Sequence, residues 1–336
     1  MGFMLFAFVF AVARDAVLLL TITGSKLGAL VHGVFGGENV TSSPDMGRRS
    51  FFVQASNVGI VAFAGGLTGL GLWSARKTPT VRNVEIHVPG LASAFDGFRI
   101  AQITDLHIGA TVKRSFVESV ARTVNELKAD LIAVTGDLVD GSVRSLRDDL
   151  MPLGSLTAPF GTYFVTGNHE YYSGADQWVD YLRDELKWNV LLNEHRVLER
   201  GEERLVIAGV TDFSRRNADN PHRSDPATAI HGSPDGVPRV LLAHQPMSVN
   251  AAAQAGIDVQ LSGHTHGGQF FPWNLVVHMV QPYVSGLNRH KNTQIYVSKG
   301  TGYWGPPLRV GAPSEVTLIT LRADSSSGEK SRRSEA

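Results

Sequence analysis

The hydrophobic pattern separates an apolar N-terminal part from a longer part in which apolar and polar stretches alternate. Residues 1–23 form an apolar run that only Arg14 and Asp15 interrupt. A second run, residues 51–73, contains no charged side chain and exceeds the roughly 20 residues that cross a bilayer. We therefore expect a membrane-anchoring region over residues 1–80, with a transmembrane helix over 51–73 and a second candidate helix over 1–23.

Each apolar run also has an alternative interpretation. Residues 51–73 are alternatively a helix buried in a soluble core. Ionisable side chains near a bilayer centre cost about 3 kcal/mol each, so residues 1–23 are either one span with an internal ion pair or the remnant of a longer multi-pass region. Residues 48–52, Arg-Arg-Ser-Phe-Phe, resemble a twin-arginine export signal. Alternatively, the two arginines simply anchor the cytoplasmic end of a transmembrane helix. We expect an uncleaved anchor in the cell membrane, with the C-terminal domain outside the cytoplasm.

From residue 81 the pattern is that of a soluble α/β domain. Apolar runs of strand length alternate with stretches of helical periodicity, and strands crowd together later in the chain. This order predicts an α/β fold with a second sheet packed on the first. The predicted strands cover 83–88, 98–104, 131–135, 161–166, 204–210, 237–243, 257–261, 294–298 and 315–321, and the predicted helices cover 115–128 and 176–186. We place the domain at residues 81–322 and expect the polar, Ser-rich tail, 323–336, to be disordered.

The composition limits the partners and the metal ligands that the chain can use. Lys plus Arg and Asp plus Glu both number 31, so the net charge is zero and no global basic field points to a nucleic-acid partner. The chain contains no cysteine, which excludes disulfides and thiolate metal sites. Any metal must therefore bind to His, Asp, Glu or Asn, a donor set that suits Mn, Fe, Zn or Mg.

Five short blocks rich in histidine and carboxylate follow predicted strands. Because ligands collect beyond the carboxyl ends of strands in α/β sheets, we expect the blocks to meet at one sheet edge. Two blocks place candidate ligands two residues apart, which on an extended backbone directs both side chains to the same side. Together the blocks offer seven candidate nitrogen and oxygen ligands, which is the number that two divalent ions need. Two such ions close together indicate phosphoester hydrolysis. The blocks are Asp105-Leu106-His107, Gly136-Asp137, Gly167-Asn168-His169-Glu170, His244 and Gly263-His264-Thr265-His266.

These blocks, together with Asp140 three residues after Asp137, resemble the calcineurin-like metallophosphoesterase superfamily across residues 98–321. With the apolar anchor and the Gly-Gly-Gln that follows His266, the chain is similar to the bacterial membrane-anchored phosphohydrolases of that superfamily. The resemblance implies a four-layer α/β/β/α sandwich, two mixed sheets flanked by helices, preceded by the N-terminal transmembrane helix or helices.

The resemblance also implies two divalent metal ions, with Mn, Fe or Zn favoured and Mg as an alternative. Three side chains would hold each ion, and one carboxylate would bridge them. The first set is Asp105, His107 and His266, the second is Asn168, His244 and His264, and the bridge is Asp137. His169 would be the catalytic proton donor rather than a ligand, and Asp140 would orient it and raise its pKa.

The expected function is hydrolysis of a phosphodiester, pyrophosphate or phosphomonoester by attack of a metal-bridging hydroxide on phosphorus. The expected partners are the membrane and a phosphorylated small molecule or lipid-linked phosphate substrate, without a nucleic acid or an obligate protein partner. One alternative is a catalytically silent metal-binding scaffold at the membrane. The other is a phosphatase or cyclic-nucleotide phosphodiesterase that acts on a soluble substrate.

Two segments outside these blocks bear on the substrate. Residues 212–236 are polar and form either a cap over the site or a solvated surface loop. Residues 270–280 are apolar, and the default interpretation is a packed core segment. The alternative is an apolar entrance that accepts a lipid chain from the membrane. Trp304 and Arg309 are candidate substrate contacts, with Arg309 expected to bind phosphate.

Overall fold

The chain divides into two compact units, Met1–Trp73 and Ser74–Ala336. Its structure is a computed structural model that describes residues 2–34, 46–215 and 223–324. The first unit holds helix α1, Gly2–Val34, and all but the end of helix α2, Met46–Arg76.

Both N-terminal helices are long and apolar enough to cross a membrane. The stretches that qualify, Gly2–Leu27 and Ser50–Arg76, have mean hydropathies of 2.2 and 1.6 and are only 6% and 17% buried. An apolar helix of a soluble core is mostly buried, so this exposure disfavours the core-helix interpretation of residues 51–73. The described residues therefore contain two candidate membrane spans by length and composition, in agreement with the sequence prediction.

The two ionisable side chains in the middle of α1 have partners within the first unit. Arg14 Nη2 lies 2.7 Å from Asp15 Oδ1, and Arg14 Nη1 also donates to the side-chain oxygen of Asn57 on α2. This is the internal ion pair that one of the two sequence interpretations predicts. Residues 48–52, which resemble an export signal, fall in the first turns of α2, but the side chains of Arg48 and Arg49 lie outside the described residues.

Within the described residues, the second unit is built on two six-stranded sheets. The strands of the first sheet are β1 (Thr80–Val88), β2 (Arg99–Ile103), β3 (Leu131–Val134), β4 (Thr162–Phe164), β5 (Asn189–Val190) and β12 (Glu315–Ala323). They lie in the order β1-β12-β2-β3-β4-β5. Neighbours run parallel except β12 and β2, which are antiparallel, so the sheet is mixed.

The second sheet is also mixed, with a parallel centre and antiparallel edges. Its strands are β6 (Glu194–Arg200), β7 (Glu203–Gly209), β8 (Arg239–Leu242), β9 (Val259–Ser262), β10 (Gly286–His290) and β11 (Thr293–Val297). They lie in the order β10-β11-β9-β8-β7-β6. The four central strands are parallel, and the edge strands β10 and β6 are antiparallel to their neighbours.

Helices cover the outer face of each sheet. The first sheet packs against α3 (Arg114–Glu126), α4 (Val143–Leu150) and α6 (Ala175–Asp184), and the second packs against α7 (Pro226–Ala229) and α8 (Val249–Gln254). Strand β3 shows how alternation builds the layers, because Leu131 and Ala133 lie in the core between the sheets while Ile132 and Val134 lie under the helices. The predicted four-layer α/β/β/α sandwich is confirmed. The remaining helices are α5 (Asn168–Ser173) and α9 (Trp273–Val280).

Two strands show what the hydrophobic pattern does not reveal. Strand β6 is an edge strand with a largely polar sequence, so it gives no apolar run to predict it. Strand β12, the last strand along the chain, inserts between β1 and β2 of the first sheet. The first sheet extends from residue 80 to residue 323, one residue beyond each limit of the predicted domain. The rest of the predicted tail, residues 325–336, lies outside the described residues.

Candidate metal centre

The candidate ligands lie beyond the carboxyl ends of parallel strands from both sheets. In the first sheet, β2 and β3 lead into Asp105 and Asp137, and β4 leads into Asn168. In the second sheet, β8 and β9 end two residues before His244 and His264. The prediction that they collect at strand ends therefore agrees with the structure, but the site lies where two sheets meet rather than along the edge of one.

The backbone at the ligand positions is left-handed rather than extended. Asp105, His107, Asp137, His264 and His266 all have φ between 50° and 70°. For a non-glycine residue, this backbone conformation is less stable by about 1 kcal/mol or more, and it persists only where the surrounding structure fixes it. The extended backbone assumed for the two i, i+2 pairs is therefore wrong. The two side chains of a pair are expected to point to the same side, and this is not so for His264 and His266, which turn toward different groups of ligands.

The first group of ligand atoms consists of Asp105, His107 and His266, which are all buried and lie within 4.8 Å of one another. His266 Nε2 is 3.4 Å from Asp105 Oδ1 and 3.1 Å from His107 Nε2. Two imidazole nitrogens at this distance either share a proton or face a common cation. The group matches the three side chains that the resemblance assigns to one ion.

The second group consists of Asp137, His244 and His264. His244 Nε2 lies 3.1 Å from Asp137 Oδ2 and 3.2 Å from His264 Nδ1. Asp137 Oδ2 is also 3.8 Å from His107 Nε2 of the first group. The Asp137 carboxylate therefore stands between the two groups, in the position that the resemblance gives to the bridge.

Several observations fit the binding of divalent cations by these residues. Asn168 Oδ1 is buried and has no hydrogen-bond partner among the described residues, as expected of an oxygen kept for a metal. His244 Nδ1 donates to the Thr135 carbonyl oxygen at 2.8 Å, which leaves Nε2, 3.1 Å from Asp137 Oδ2, as the atom that would bind a metal in place of its proton. Burial and the neighbouring His244 lower the pKa of His264 to about 3, which keeps this imidazole neutral and able to ligate. The mixed nitrogen and oxygen donor set suits Mn, Fe or Zn.

Asp105 is fixed by contacts that sequence reasoning missed. Thr104 Oγ1 donates to Asp105 Oδ2 at 2.8 Å, and the His264 N–H donates to both carboxylate oxygens at 3.0 Å. A Cβ on Gly263 would lie 2.2 Å from both Asp105 Oδ2 and Thr104 Oγ1. Glycine is therefore required here by the close approach of the backbone to the carboxylate, not by a special φ.

His169 forms a third group of neighbouring donor atoms with His107 and Asp137, and Asp140 holds its ring from the other side. His169 Nδ1 donates to Asp140 Oδ1 at 2.7 Å, and His107 Nδ1 donates to the same oxygen at 3.0 Å. Burial opposes ionisation of Asp140, but these two hydrogen bonds hold the pKa of its carboxyl well below its usual range. Burial likewise disfavours protonated His169, but the Asp140 and Asp137 carboxylates outweigh it and raise the pKa of His169. The structure thus brings together the two residues predicted as catalytic, and shows that Asp140 also orients a candidate ligand.

Glu170 holds the loop that carries Asp137. Its carboxylate accepts the N–H groups of Asp137 at 3.0 Å, Leu138 at 2.7 Å and Gly167 at 2.6 Å. Burial and the charge of Asp137 raise the pKa of Glu170 to about 7. These contacts give Glu170 a structural role, because it holds the backbone on both sides of the site.

A family model described as calcineurin-like phosphoesterase matches residues 98–268, which is half of the chain and contains all of the candidate ligands. The chain belongs to the calcineurin-like phosphoesterase family. The resemblance inferred from the sequence motifs is therefore confirmed at the level of the family.

Relatives of this calcineurin-like protein occur in bacteria and in eukaryotes. A transmembrane protein with metallophosphoesterase domain from Danio rerio is 38% identical over 260 residues, which cover 75% of this chain and 59% of that protein. An uncharacterized metallophosphoesterase from Helicobacter pylori is 37% identical over 253 residues, 75% of this chain and 66% of that one. One from Bacillus subtilis is 30% identical over 236 residues, 68% of this chain and 80% of that one. The chain spans about three fifths of the length of the vertebrate relatives that it matches.

The calcineurin-like metal centre opens into a cavity whose outer wall is apolar. His107, Asp137, Asn168, His169, His264, Thr265 and His266 line one part, and Trp273, Val277, Val280, Gln281 and Trp304 line the rest. The Trp304 ring lies 6.4 Å from the His169 ring, so this predicted substrate residue stands at the cavity wall. Most of the apolar segment 270–280 is exposed, with Met279 at 76%, so the interpretation of a packed core segment is wrong.

The structure contradicts the prediction that Arg309 binds phosphate. Its side chain is only 2% exposed. Nε and Nη2 donate to the Gly302 carbonyl oxygen at 2.8 and 2.6 Å, and Nη1 donates to the Ala312 carbonyl oxygen at 2.8 Å. Because the guanidinium is buried and bonded to backbone carbonyls, Arg309 braces the loop that carries Trp304 and does not face a substrate.

Residues 212–236, predicted as a cap or a surface loop, are partly built into the fold. Asp212 is buried and accepts both hydrogen bonds of the Gln245 side-chain amide, at 3.1 and 3.0 Å. Helix α7 packs Ala229 against the second sheet. The Arg215 guanidinium lies 4.9 Å above the Tyr171 ring. The centre of the segment, residues 216–222, lies outside the described residues, so the cap remains a prediction.

Proposed function

We propose that this calcineurin-like protein is a membrane-anchored phosphoesterase that uses two divalent metal ions to hydrolyse a phosphodiester, a pyrophosphate or a phosphomonoester. The observation that carries the proposal is the pair formed by His169 and Asp140. The pair lies at the metal centre, yet His169 has its Nδ1 hydrogen-bonded to Asp140 and belongs to neither set of ligands that the resemblance implies. Such an imidazole is the expected proton donor for a leaving ester oxygen.

Asp137, Asp140 and His169 have separate roles in the proposed reaction. When bound, two divalent cations lower the pKa of the attacking water and offset the negative charge of the phosphate. Asp137 is buried, but His244 keeps the pKa of its carboxyl well below the usual range, so Asp137 is ionised and able to bridge. Asp140 holds the Nδ1–H of His169, which leaves Nε2, 4.0 Å from Asp137 Oδ2, to carry a proton to the ester oxygen.

A metal-binding scaffold is the alternative from another class. A scaffold needs the ligands but has no use for a proton donor whose pKa is raised beside them. A phosphatase or cyclic-nucleotide phosphodiesterase that acts on a soluble substrate is the other alternative. It is disfavoured because the described residues that line the cavity include no Arg or Lys.

We further propose that the catalytic domain lies outside the cytoplasm. The support is the resemblance of residues 48–52 to a twin-arginine export signal at the start of the second candidate span. Protease added to intact spheroplasts is expected to degrade the C-terminal domain. Protection of that domain until the membrane is opened would place it on the cytoplasmic side and contradict the proposal.

The proposed activity is tested with a matrix of metals and substrates. The full-length protein, purified in nanodiscs and stripped with a chelator, is supplied with Mn, Fe, Zn or Mg. The substrates are p-nitrophenyl phosphate, bis(p-nitrophenyl) phosphate, a lipid pyrophosphate and a cyclic nucleotide. We expect metal-dependent hydrolysis that Asp137→Ala and His264→Ala abolish. Full activity in either variant, or hydrolysis that the chelator does not reduce, would contradict the assignment.

A further inference from the structure

We propose that helix α9 and Trp304 form a groove for the hydrocarbon chain of an amphiphilic phosphoester whose phosphate binds at the metal centre. The proposal rests on the phosphoesterase function proposed above and names its substrate class. The apolar groove consists of Trp273, Val277 and Val280 together with Trp304, which all line the same cavity as the metal centre.

Helix α9 exposes the side chains that other surface helices of this domain bury. It has no charged residue, and Val277 is its one buried side chain. In the groove itself, Trp273, Val280 and Trp304 are 39%, 60% and 40% exposed. Helix α3, in contrast, buries its valines and directs charged side chains to solvent. An exposed apolar patch of this kind marks a surface that binds an apolar partner.

The groove is continuous with the metal centre. The Trp273 and Trp304 rings lie 6.0 Å apart, and the Trp304 ring lies 6.4 Å from the ring of His169. A chain attached to a phosphate at the metal centre would therefore meet Trp304 first and the side chains of α9 next.

The groove is also held in place before any ligand binds. Gln269 Nε2 donates to the Trp304 carbonyl oxygen at 2.8 Å, and the Trp304 N–H donates to Gln269 Oε1 at 3.0 Å. This double hydrogen bond fixes the backbone that carries the Trp304 ring. A preformed wall reduces the entropy lost when a flexible chain binds.

The scarcity of charged and polar side chains around the cavity favours a hydrocarbon chain as its ligand. Beyond the candidate ligands and His169, the described residues that line the cavity are uncharged, and their polar side chains are Thr265 and Gln281. Arg309, the arginine expected to meet a charged substrate, is buried behind His266. A nucleotide or a phosphopeptide would bring polar groups that find few partners here, whereas a hydrocarbon chain requires none.

The test measures how binding depends on chain length. Methyl-, hexyl- and dodecylphosphonate, whose P–C bond the protein cannot hydrolyse, are titrated into the Mn-loaded full-length protein in phosphatidylcholine nanodiscs, and heats from empty nanodiscs are subtracted. Full burial of each methylene would tighten binding about fourfold. Because the groove is open on one side, we expect the Kd to fall at least about tenfold from methyl- to hexylphosphonate.

Two neighbouring substitutions on α9 separate the groove from the rest of the exposed face. Val280→Glu places a charge in the groove, and we expect it to reduce the ratio of methyl to hexyl Kd at least about fivefold. Met279→Glu alters a side chain that is more exposed but does not line the cavity, and we expect the ratio to stay unchanged. Trp273→Ala provides a second groove variant that adds no charge, and it is also expected to lower the ratio.

Two outcomes would overturn the proposal, and a parallel activity assay separates it from the proposed function. A parent protein whose Kd is the same for methyl- and hexylphosphonate would overturn it. An equal loss of chain-length preference in Val280→Glu and Met279→Glu would also overturn it, because the whole face would then act as a bilayer contact. Hydrolysis of p-nitrophenyl phosphate, bis(p-nitrophenyl) phosphate, the lipid pyrophosphate and the cyclic nucleotide is measured in parallel. Chain-length preference without hydrolysis would refute the phosphoesterase function alone, and hydrolysis without chain-length preference would refute the groove alone.

Discussion

Replacing Asp140 with asparagine removes one negative charge from an oxygen that two histidines share. Asp140 Oδ1 accepts from His169 Nδ1 at 2.7 Å and from His107 Nδ1 at 3.0 Å. Asparagine keeps the size and one acceptor oxygen, so the substitution tests the charge with little change in packing. We expect the protonated form of His169 to lose its stabilisation in the transition state.

The magnitude follows from the two hydrogen bonds. A hydrogen bond to a charged group contributes about 1.5–3 kcal/mol and a neutral one about 0.5–1.5 kcal/mol. Loss of the charge therefore weakens each bond by about 1 kcal/mol or slightly more. The Asp140 side chain is 33% exposed, and solvent screens part of this effect. We expect a total loss of about 1.5–2 kcal/mol, which lowers kcat/KM about 10- to 30-fold.

The assay is metal-dependent hydrolysis at saturating Mn, with Asp140→Asn, Asp140→Ala and a surface control compared side by side. Asp140→Ala also frees the His107 ring, so we expect its metal affinity to fall about 10- to 100-fold. Asp148→Asn changes an aspartate whose side chain is 88% exposed, and it should behave like the parent. A kcat/KM within twofold of the parent in both Asp140 variants would refute the role given to this carboxylate.

Three further predictions concern metal binding and stability. Gly263→Ala places a methyl group 2.2 Å from Asp105 Oδ2, so we expect about 10- to 100-fold weaker metal binding in isothermal titration; unchanged affinity would contradict the role of the close approach. Arg309→Lys leaves buried carbonyls without donors, and we expect about 3 kcal/mol lower stability in denaturant titrations. A stable variant with weakened phosphate binding would instead restore Arg309 as a substrate contact. Raising free metal to 100 times its Kd should stabilise the domain by about 2.7 kcal/mol, or about 5–10 °C in melting temperature, and an unchanged melting temperature would exclude tight binding.

The sequence predicts the metal centre well because its ligands come in short blocks that directly follow apolar strands. Each block is recognisable without knowledge of the sheet to which its strand belongs. The backbone at these blocks is not predictable in the same way. Asp105 and His266 adopt left-handed φ because contacts from distant parts of the chain hold them there, and no local pattern encodes this.

Two errors at the substrate side have a common physical origin. From the sequence alone, the positive charge of Arg309 suggests a phosphate ligand. In the folded loop its guanidinium instead donates to the carbonyl oxygens of Gly302 and Ala312. Helix α9 looks like core because it is apolar on nearly every side, which normally indicates burial. Whether such a segment is buried depends on what packs on it, and this is a property of the tertiary structure. Strand β12 shows the same limit, since its place between β1 and β2 depends on long-range pairing.

The leaving-group dependence of His169→Ala tests the central claim most directly. The full-length, Mn-loaded protein is compared with this variant on two esters of the same phosphate, one with a p-nitrophenol leaving group and one with an aliphatic alcohol. A proton donor matters little for the phenol and greatly for the alcohol. The account predicts a loss in kcat/KM of about 10²- to 10⁴-fold for the aliphatic ester and a much smaller loss for the p-nitrophenyl ester. Equal losses for both esters, or no loss for either, would contradict it.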